Sequence, residues 1–326
     1  MYAVLAGGVG AARFLRGLAR VVPAERIVAI VNVGDDLTRF GLRICPDLDS
    51  ITYWLGGVVH PGQQWGRDDE THVVAGELER FGHDPWFTLG DRDLGVHLHR
   101  SARLAEGIPL SVVTDEVRRA FAVEVRLLPA TDDPVETRIT TVDGRDLHFQ
   151  EYWVRERAAP EVAAVTLAGA DRATAGPGVV EAIIDADAVL VAPSNPVVSI
   201  DTILAVPGVR EAVRQTPAPV VGVSPVIDGA VVRGMAHRLL PAVGAEVSAA
   251  GVAAHYGARD GARDGGRDGI LDGWVVDRRD EASLGAVRRL GLAARATDTM
   301  MDDPDVAAAL ARTCIDLATD LLDGAA

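Results

Sequence analysis

Short apolar runs that end in glycine or acidic turns, each followed by helical spacing, constrain the fold of this chain most. The first run, Tyr2 to Ala6, stops at a pair of glycines, and apolar residues at helical spacing follow from Gly10 to Ala19. A second run, Arg26 to Val33, is largely apolar, as expected of a parallel strand buried on both faces. The chain therefore opens with a predicted strand, helix and strand.

The same alternation returns after residue 162 and continues to the end of the chain. The predicted strands are VAAVTLAG, AVLVAP, PVVGVSP, GWVVD and LAARA, and the predicted helices are Pro177 to Ile184, Thr202 to Val213, Gly234 to Val243 and Val306 to Leu322. This order predicts an α/β fold with a Rossmann-like, doubly wound, mostly parallel sheet. In such a fold a ligand lies beyond the carboxyl ends of the strands.

Residues 37–161 interrupt this alternation and are predicted to form an inserted α+β segment. Helical stretches are expected near Asp49 to Leu55, Thr71 to Phe81 and Leu110 to Phe121, and a hairpin around Asp143-Gly144. We expect one domain over 1–326, with a core of approximately 1–36 and 162–326. The Gly, Arg and Asp repeat at 257–269 buries no apolar surface and is predicted to be a mobile loop.

The charged residues exclude several kinds of chemistry. All 32 cationic side chains are arginine, which excludes a Schiff-base lysine and the lysine of an ordinary phosphate-binding P-loop. The 47 acidic residues give a net charge of −15, which argues against nucleic-acid or anionic-membrane partners. Phosphate chemistry here must use arginine, backbone amides or a metal.

The two cysteines and the apolar runs indicate a cytoplasmic protein. Cys45 and Cys314 are too few and too far apart for a zinc site or a disulfide framework. No run approaches about 18 apolar residues, and the first residues lack the charged region of a signal peptide.

The glycine turn GGVGAAR is the first candidate site. Gly7, Gly8 and Gly10 let the backbone approach an anion at a helix N-terminus, and Arg13 lies one turn further, where it can bind a phosphate. The turn lacks the Lys-Ser/Thr ending of a P-loop, and Arg13 occupies the third glycine position of a dinucleotide-binding turn. A purely structural tight turn is the alternative.

Four aspartates at or near strand ends form the second candidate site. Asp35 and Asp36 follow the second strand directly, and Asp47 and Asp49 lie in a proline-led turn. Carboxylates so placed can hold Mg²⁺ against substrate phosphates. Capping of the next helix is an equally good role for Asp47, so Asp49 is the better functional candidate.

Two further polar segments leave alternatives open. Ser194 and Asn195 follow a predicted strand and can contact a nucleotide, although capping of the next helix is the alternative. His97 and His99 lie in LGDRDLGVHLHRS, where a polar helix start with internal Asp-Arg pairing is a better interpretation than metal binding, because histidines two residues apart diverge on a helix. No CxxC, HExxH or serine nucleophile elbow occurs, which disfavours covalent catalysis.

Nine segments in order from Tyr2 to the last helix resemble the 2-phospho-L-lactate transferase family of coenzyme F420 biosynthesis, in its actinobacterial phosphoenolpyruvate transferase branch. They are GGVGAARFL, VNVGDDLTRFGLRICPDLDSITYWLGG, WGRDDET, LGDRDLGVHLHRS, LLPATDDPVETRI, HFQEYWVR, ATAGPGVVEAI, APSNPVVSI and LLDGW.

The resemblance implies an activity, a cofactor and an assembly. A phosphoryl-linked three-carbon acid would pass from a guanylylated diphosphate donor to the deazaflavin Fo, with release of GMP. In the actinobacterial branch the donor is enolpyruvoyl-2-diphospho-5′-guanosine and the product dehydro coenzyme F420-0; archaeal relatives use the lactyl analogue. The resemblance also implies Mg²⁺ as cofactor and a homodimer.

Two acceptor contacts follow from the resemblance residue by residue. Asp49 matches the second acid of the family's PDLD turn, where relatives contact Fo. Thr88 falls where archaeal relatives carry a lysine that contacts Fo, so that contact lacks its charge here.

Physical inference assigns the remaining roles. The glycine turn with Arg13 would hold donor phosphate, and Ser194 with Asn195 would contact the guanosine. Asp35, Asp36 or Asp49 would hold Mg²⁺, and an ionised Asp49 would act as general base.

Two other functions compete with the transferase. The glycine turn and the acids after the second strand also suggest an NAD-dependent oxidoreductase, against which Arg13 stands. A nucleotide-sugar-binding regulatory protein of the related gluconeogenesis factor family shares the opening turn. Trp65 and Trp153 discriminate these functions if they pack on a flat heterocycle, whereas core packing is the alternative for both.

Overall fold

The computed structural model describes residues 1–232, 234–259 and 269–324. Its strands, in chain order, are β1 (Tyr2–Ala6), β2 (Ile27–Val31), β3 (Leu37–Arg39), β4 (Leu42–Ile44), β5 (Arg126–Pro129), β6 (Glu136–Thr141), β7 (Asp146–His148), β8 (Val162–Ala168), β9 (Ala188–Val191), β10 (Val220–Val223), β11 (Val226–Ile227), β12 (Ala230–Val231), β13 (Gly273–Asp277) and β14 (Ala293–Thr297).

A seven-stranded sheet in the order β14-β13-β10-β9-β1-β2-β5 forms the centre of the molecule, and all its pairings are parallel. Its apolar strands β2, β9, β10 and β13 are buried along their whole length, as strands covered on both faces must be. The chain builds outward from β1 to β5 and then, on the other side, from β9 to β14. Strand order therefore reverses beside β1, which is where a doubly wound fold opens its ligand crevice.

The helices cover the sheet and build the inserted segment. They are α1 (Gly8–Leu18), α2 (Pro46–Leu55), α3 (Val73–Arg80), α4 (Asp91–Ala105), α5 (Leu110–Ala120), α6 (Val179–Ile184), α7 (Asp201–Ala205), α8 (Val209–Gln215), α9 (Ala236–Leu239), α10 (Ala249–Tyr256), α11 (Leu284–Arg289) and α12 (Pro304–Leu322). Helix α1 packs against both α2 and α12, with Phe14, Leu15 and Leu18 fully buried. The predicted Rossmann-like α/β fold is confirmed.

The sheets cross the predicted boundary between core and insertion. β5 lies within 37–161 yet forms an edge of the central sheet. β8, expected as a central parallel strand, instead pairs antiparallel with β6 in a small sheet with β7. Its side chains are only partly buried, which suits a strand covered on one face. The division into core and insertion stays a prediction.

Several predicted elements differ in extent. The helix expected over Thr202 to Val213 is two helices, α7 and α8, because Pro207 and Gly208 interrupt it. Between Gly234 and Val243 only the short α9 and one 3₁₀ turn form. The repeat at 257–269 lies mostly outside the described residues. Within the described ranges, no helix combines the length and apolar character needed to cross a membrane.

Candidate active site

One cavity of about 690 Å³ lies beyond the carboxyl ends of the central strands, in the size range of small-molecule sites. It brings together every predicted site residue except Asp36. Those that line it are Gly7, Gly8, Gly10, Arg13, Asp35, Asp49, Thr88, Ser194 and Asn195. The lining comes from the strand ends and from the inserted segment, which contributes residues of α2 and α4.

The glycine turn joins β1 to α1 and has structural reasons for its glycines. Gly8 adopts a φ of +68°, a conformation that L side chains rarely adopt. A Cβ on Gly10 would lie 2.4 Å from the Pro193 carbonyl oxygen. The first turn of α1 contains no acidic residue of its own, but the Gly8 backbone N–H donates to the Asp47 carboxylate, so Asp47 already lies at this helix N-terminus.

Arg13 lies on α1 at the edge of the cavity. Its Nη1 donates to Asp302 Oδ1 at 2.9 Å, Nη2 contacts Gln64, and the guanidinium lies 5.5 Å from the Trp54 ring centroid. The buried Nε has no hydrogen-bond partner among the described residues. Arg13 is thus held in place while one donor group remains unused.

Ser194 and Asn195 both serve the local backbone. Ser194 Oγ accepts a hydrogen bond from Gly7 N at 3.0 Å. Asn195 Oδ1 accepts from Val197 N at 3.0 Å and so caps the helical turn that leads into α7. The capping alternative therefore describes Asn195, although both residues also line the cavity.

Asn32 holds two carboxylates together at the end of β2. Its Nδ2 donates to Asp35 Oδ1 at 3.0 Å and to Asp47 Oδ2 at 2.9 Å, and its Oδ1 accepts from Gly34 N. Burial raises the pKa of Asp47 to about 7. Burial and the neighbouring Asp47 raise the pKa of Asp35 well above its usual range. The two carboxylates are thus held close together, and no arginine among the described residues forms an ion pair with either.

Asp47 does not cap α2, because Cys45 occupies the N-cap and Asp47 lies inside the first turn. Asp36 turns away from the cavity, and its Oδ2 accepts from Arg43 Nη2 at 3.1 Å. Asp49 faces α4, where Arg100 binds both of its oxygens, Nη1 to Oδ2 at 3.2 Å. Arginines already neutralise Asp36 and Asp49, so the structure favours Asp35 and Asp47 as the cation pair.

This pair fits a divalent cation of the magnesium type. Mg²⁺ is commonly bound by one or two carboxylates together with substrate phosphates and water. Asp35 and Asp47 supply those carboxylates beside the glycine turn, and the raised pKa of each reflects an electrostatic cost that a cation would remove. No group of three or more His, Cys, Asp or Glu side chains within the described ranges could hold a metal alone.

The two histidines of α4 point in different directions. His97 is buried, and its Nδ1 accepts from Arg100 Nη1 at 3.3 Å, while burial lowers its pKa. His99 is on the surface beside Glu116. The segment begins a helix with a polar first turn, as predicted, but its Arg100 pairs with Asp49 of α2 rather than with an aspartate of the same segment.

Aromatic side chains also line the cavity. Trp65 is 52% exposed and Trp153 is 39% exposed, and both line the cavity together with Phe87. Core packing is therefore wrong for both tryptophans. Thr88 is exposed beside them, and its hydroxyl donates to the Pro85 carbonyl at 3.1 Å.

Reciprocal capping fixes the loop that carries Trp65. Glu70 accepts hydrogen bonds from Arg92 N and Asp93 N, both at 2.8 Å, and so caps α4. Asp91 of α4 in turn accepts from the first backbone amides of α3, at 2.9 and 3.1 Å. The loop and α4 therefore hold each other in place.

Sequence reasoning missed Asn32, Tyr53 and Asp93 as parts of this site. Asn32 follows a buried strand, a position that already signals a ligand-side residue. Tyr53 lies one turn after Asp49 on α2, so their shared face was readable from the spacing. Asp93 was predicted only as part of a polar helix start. Nothing in the local sequence shows that it lies beside Tyr53 of α2.

Asp277, at the end of β13, holds the segment around Thr299, which is part of the cavity lining. Its Oδ2 accepts from Thr299 N and Oγ1, at 2.9 and 3.0 Å, and Oδ1 accepts from Arg279 Nε at 2.8 Å. Burial works against ionisation, but these hydrogen bonds outweigh it and hold the pKa of Asp277 at about 2. Thr299 lines the cavity, so Asp277 positions the segment after β14.

Asp277→Asn is expected to lower the free energy of unfolding at pH 7 by about 1–2 kcal/mol. The folded pKa lies below the unfolded value, so this stability is present above about pH 4 and is lost as pH falls toward 2. Urea unfolding at pH 7 and pH 3 measures both values. The exposed Asp316→Asn is the control, and an equal deficit at both pH values would contradict the assignment.

A parallel sheet whose switch point opens into one cavity lined by a glycine turn and paired carboxylates is typical of α/β enzymes that act on small molecules. The family model described as 2-phospho-L-lactate transferase CofD matches residues 3–314, and the chain belongs to that family. The predicted resemblance is confirmed, and the chain is an enzyme, a transferase of coenzyme F420 biosynthesis.

Curated relatives match over nearly their full length. The phosphoenolpyruvate transferase of Kitasatospora aureofaciens is 51% identical over 98% of each chain. That of Streptomyces coelicolor is 49% identical over 98% of each chain, and that of Mycolicibacterium smegmatis is 46% identical over 97% of this chain and 98% of the relative.

Solved structures agree at the level of the fold. A crystal structure of a UPF0052 family protein from Bacillus halodurans aligns with a TM-score of 0.61 at 19% identity, over 96% of this chain and 98% of that one.

Proposed function

We propose that this transferase moves the phosphoenolpyruvyl, or phospholactyl, group from enolpyruvoyl-2-diphospho-5′-guanosine or its lactyl analogue to the deazaflavin Fo. The products are dehydro coenzyme F420-0, or its lactyl counterpart, and GMP. The observation that carries this proposal is a single cavity lined by a glycine turn, a carboxylate pair and two exposed tryptophans. The relatives named phosphoenolpyruvate transferase support the enolpyruvyl donor.

The donor binds at the strand ends in this proposal. Backbone amides at the start of α1 and Arg13 contact its phosphates, and Ser194 with Asn195 lies on the guanosine side. Asp35 and Asp47 would hold Mg²⁺, which would neutralise charge on the diphosphate. An acidic cavity thereby accepts an anionic donor.

The acceptor binds against the aromatic side chains of the cavity in this proposal. Trp65 and Trp153 offer flat, exposed surfaces to a tricyclic ring. Thr88 and Asp49 also line the cavity. Because Arg100 engages both carboxylate oxygens of Asp49, the structure favours a positioning role for Asp49 over proton transfer.

The reaction is a displacement at phosphorus. The Fo hydroxyl oxygen forms a bond to the phosphorus that carries the three-carbon acid, and the bond from that phosphorus to the bridging oxygen breaks. GMP leaves with that oxygen, and the hydroxyl proton is released. Positioning and charge neutralisation dominate catalysis, since no protein nucleophile is needed.

The direct test mixes the purified protein with Fo and the guanylylated donor, with and without Mg²⁺, and measures GMP by chromatography. GMP release that requires Fo and Mg²⁺ is expected. Absence of release with the enolpyruvyl, lactyl and glyceryl donors would overturn the proposal. Titration with NADH or a nucleotide sugar examines the two competing functions.

Arg13→Gln is expected to raise the KM for the donor about 10- to 100-fold and to leave the Kd of Fo unchanged, because only the donor carries phosphate. Arg16→Gln is the matched control, since Arg16 lies on the same helix near Trp54 but outside the cavity. Equal effects of the two substitutions on donor KM would contradict the role of Arg13.

We further propose a cytoplasmic homodimer. The composition and the two isolated cysteines support the compartment, and the family resemblance supports the dimer. Light scattering coupled to size exclusion measures the mass, and a monomer at micromolar concentration would contradict the dimer.

A further inference from the structure

Gln150 is a buried polar side chain of the cavity that the proposed function leaves unused. It is 5% exposed and lines the cavity. Its backbone N–H donates to His148, but no hydrogen bond within the described ranges uses its side-chain amide. The amide atoms are not among the fully enclosed polar atoms that lack a partner, so they meet the cavity. A buried amide without a partner costs free energy unless a ligand supplies one.

The backbone around Gln150 is fixed to the end of β2. His148 Nε2 donates to the Asp36 carbonyl oxygen at 3.2 Å, and its Nδ1 accepts from Gln150 N at 3.0 Å. This arrangement requires a neutral ring, and burial lowers the pKa of His148. Glu151 adds a second contact, because its Oε2 accepts from His148 N at 3.1 Å. The central sheet therefore sets the position of the Gln150 backbone.

The segment that carries the amide also carries a flat aromatic surface. Trp153 is 39% exposed, lines the cavity and lies three residues after Gln150, in the π-helical turn Glu151–Arg155. Tyr152, which is fully buried, holds that turn, because its hydroxyl contacts two backbone carbonyl oxygens, both at 3.3 Å. A heterocyclic ring with a polar edge is the ligand that matches an aromatic surface and an amide on one short segment.

We propose that the side-chain amide of Gln150 binds the lactam edge of the acceptor ring and makes the site specific for that edge. This inference rests on the proposed function, which makes the acceptor a deazaflavin, whose pyrimidine ring has an N–H between two carbonyl groups. A glutamine amide offers an N–H donor beside a carbonyl acceptor, so it can form two parallel hydrogen bonds with such an edge. Gln150 is assigned to binding, and the displacement at phosphorus does not use it.

Gln150→Met removes both hydrogen bonds and keeps the length of the side chain. Titration of Fo fluorescence should show a Kd roughly 10- to 100-fold higher than that of wild type, because two hydrogen bonds are lost. The KM for Fo should rise in parallel, while kcat at saturating Fo should stay within about threefold of wild type. Gln215→Met is the matched control, since Gln215 is exposed on α8 and lies outside the cavity.

An Fo analogue methylated at the lactam nitrogen tests the same contact from the ligand. Wild type should bind this analogue at least about 10-fold more weakly than Fo, because the methyl group removes the N–H that Gln150 accepts. The Gln150→Met variant should bind the two ligands with similar affinity, because it has no amide to distinguish them. A residue that only supports the fold would show no such coupling to one ligand atom.

Guanine also carries a lactam edge, so the Kd of GMP is measured with the same proteins. We expect Gln150→Met to leave it unchanged. Weaker binding of GMP together with unchanged binding of Fo would assign the amide to the donor and overturn this inference.

Thermal unfolding of Gln150→Met should occur at an unchanged or higher temperature, since the substitution replaces an unpartnered buried amide by an apolar group. If this variant does not fold, Gln150→Glu decides the outcome, because it has nearly the same shape and lacks the N–H donor when ionised.

Unchanged Kd of Fo, or a large loss of kcat with unchanged Kd, would overturn this inference and leave the transferase intact. Wild-type protein that neither binds Fo nor releases GMP would overturn the proposed function and this inference with it.

Discussion

Asp47→Asn is expected to reduce Mg²⁺-dependent GMP release on the order of 10²-fold or more. Asp47 and Asp35 share the Asn32 amide, and neither carboxylate has an arginine ion pair within the described ranges. Loss of one halves the negative charge available to a divalent cation, whose stabilisation of phosphoryl charge is worth several kcal/mol. Steady-state assays over a range of Mg²⁺ concentrations measure the effect.

The same substitution should raise the Mg²⁺ concentration needed for half-maximal rate, and Mn²⁺ binding measured by electron paramagnetic resonance should weaken in parallel. Asp35→Asn is expected to behave similarly. Asp171→Asn, an exposed aspartate outside the cavity, is the control. Unaltered Mn²⁺ affinity in both carboxylate variants would move the cation site elsewhere.

Arg100→Met is expected to lower the free energy of unfolding by about 3–5 kcal/mol. Arg100 is 2% exposed and Asp49 is 5% exposed, so removal of the guanidinium leaves a buried carboxylate without its counter-ion. Asp49→Asn likewise leaves the buried guanidinium of Arg100 without its counter-ion. Chemical unfolding in urea measures the loss.

A double-mutant cycle with Asp49→Leu tests the pairing itself. The double variant should be markedly more stable than the sum of the single losses predicts, because neither charge is then left alone. Arg103→Met, which breaks a surface ion pair on the same helix, should change stability little. Additive losses in the cycle would show that Arg100 and Asp49 stabilise the fold independently.

The position of the cavity was predictable from the sequence, because ligands of doubly wound folds lie beyond the carboxyl ends of the parallel strands. Apolar runs predicted β1, β2 and β9, and the parallel topology brought the polar residues that follow them to one edge. Gly7, Asp35 and Ser194 are far apart in sequence and nevertheless line one cavity.

The directions of the aspartates were not predictable from local spacing. Asp47 resembles a helix cap in sequence, but Asn32, fifteen residues earlier, determines where it points. Asp36 and Asp49 resemble ligands until Arg43 and Arg100 are placed beside them. Choosing among carboxylates requires the positions of their cationic neighbours, which tertiary structure alone provides.

In the proposed function helix α2 (Pro46–Leu55) runs from the donor site to the acceptor site. Its first turn carries Asp47, and Tyr53 follows six residues later. Both residues line the cavity, and they are separated by about 9 Å along the helix axis. Inserting one residue between them would turn Tyr53 by about 100° and lengthen the span by about 1.5 Å. In the proposed function α2 spans the distance between the donor phosphates and the acceptor, so we expect a change in its length to impair the transfer.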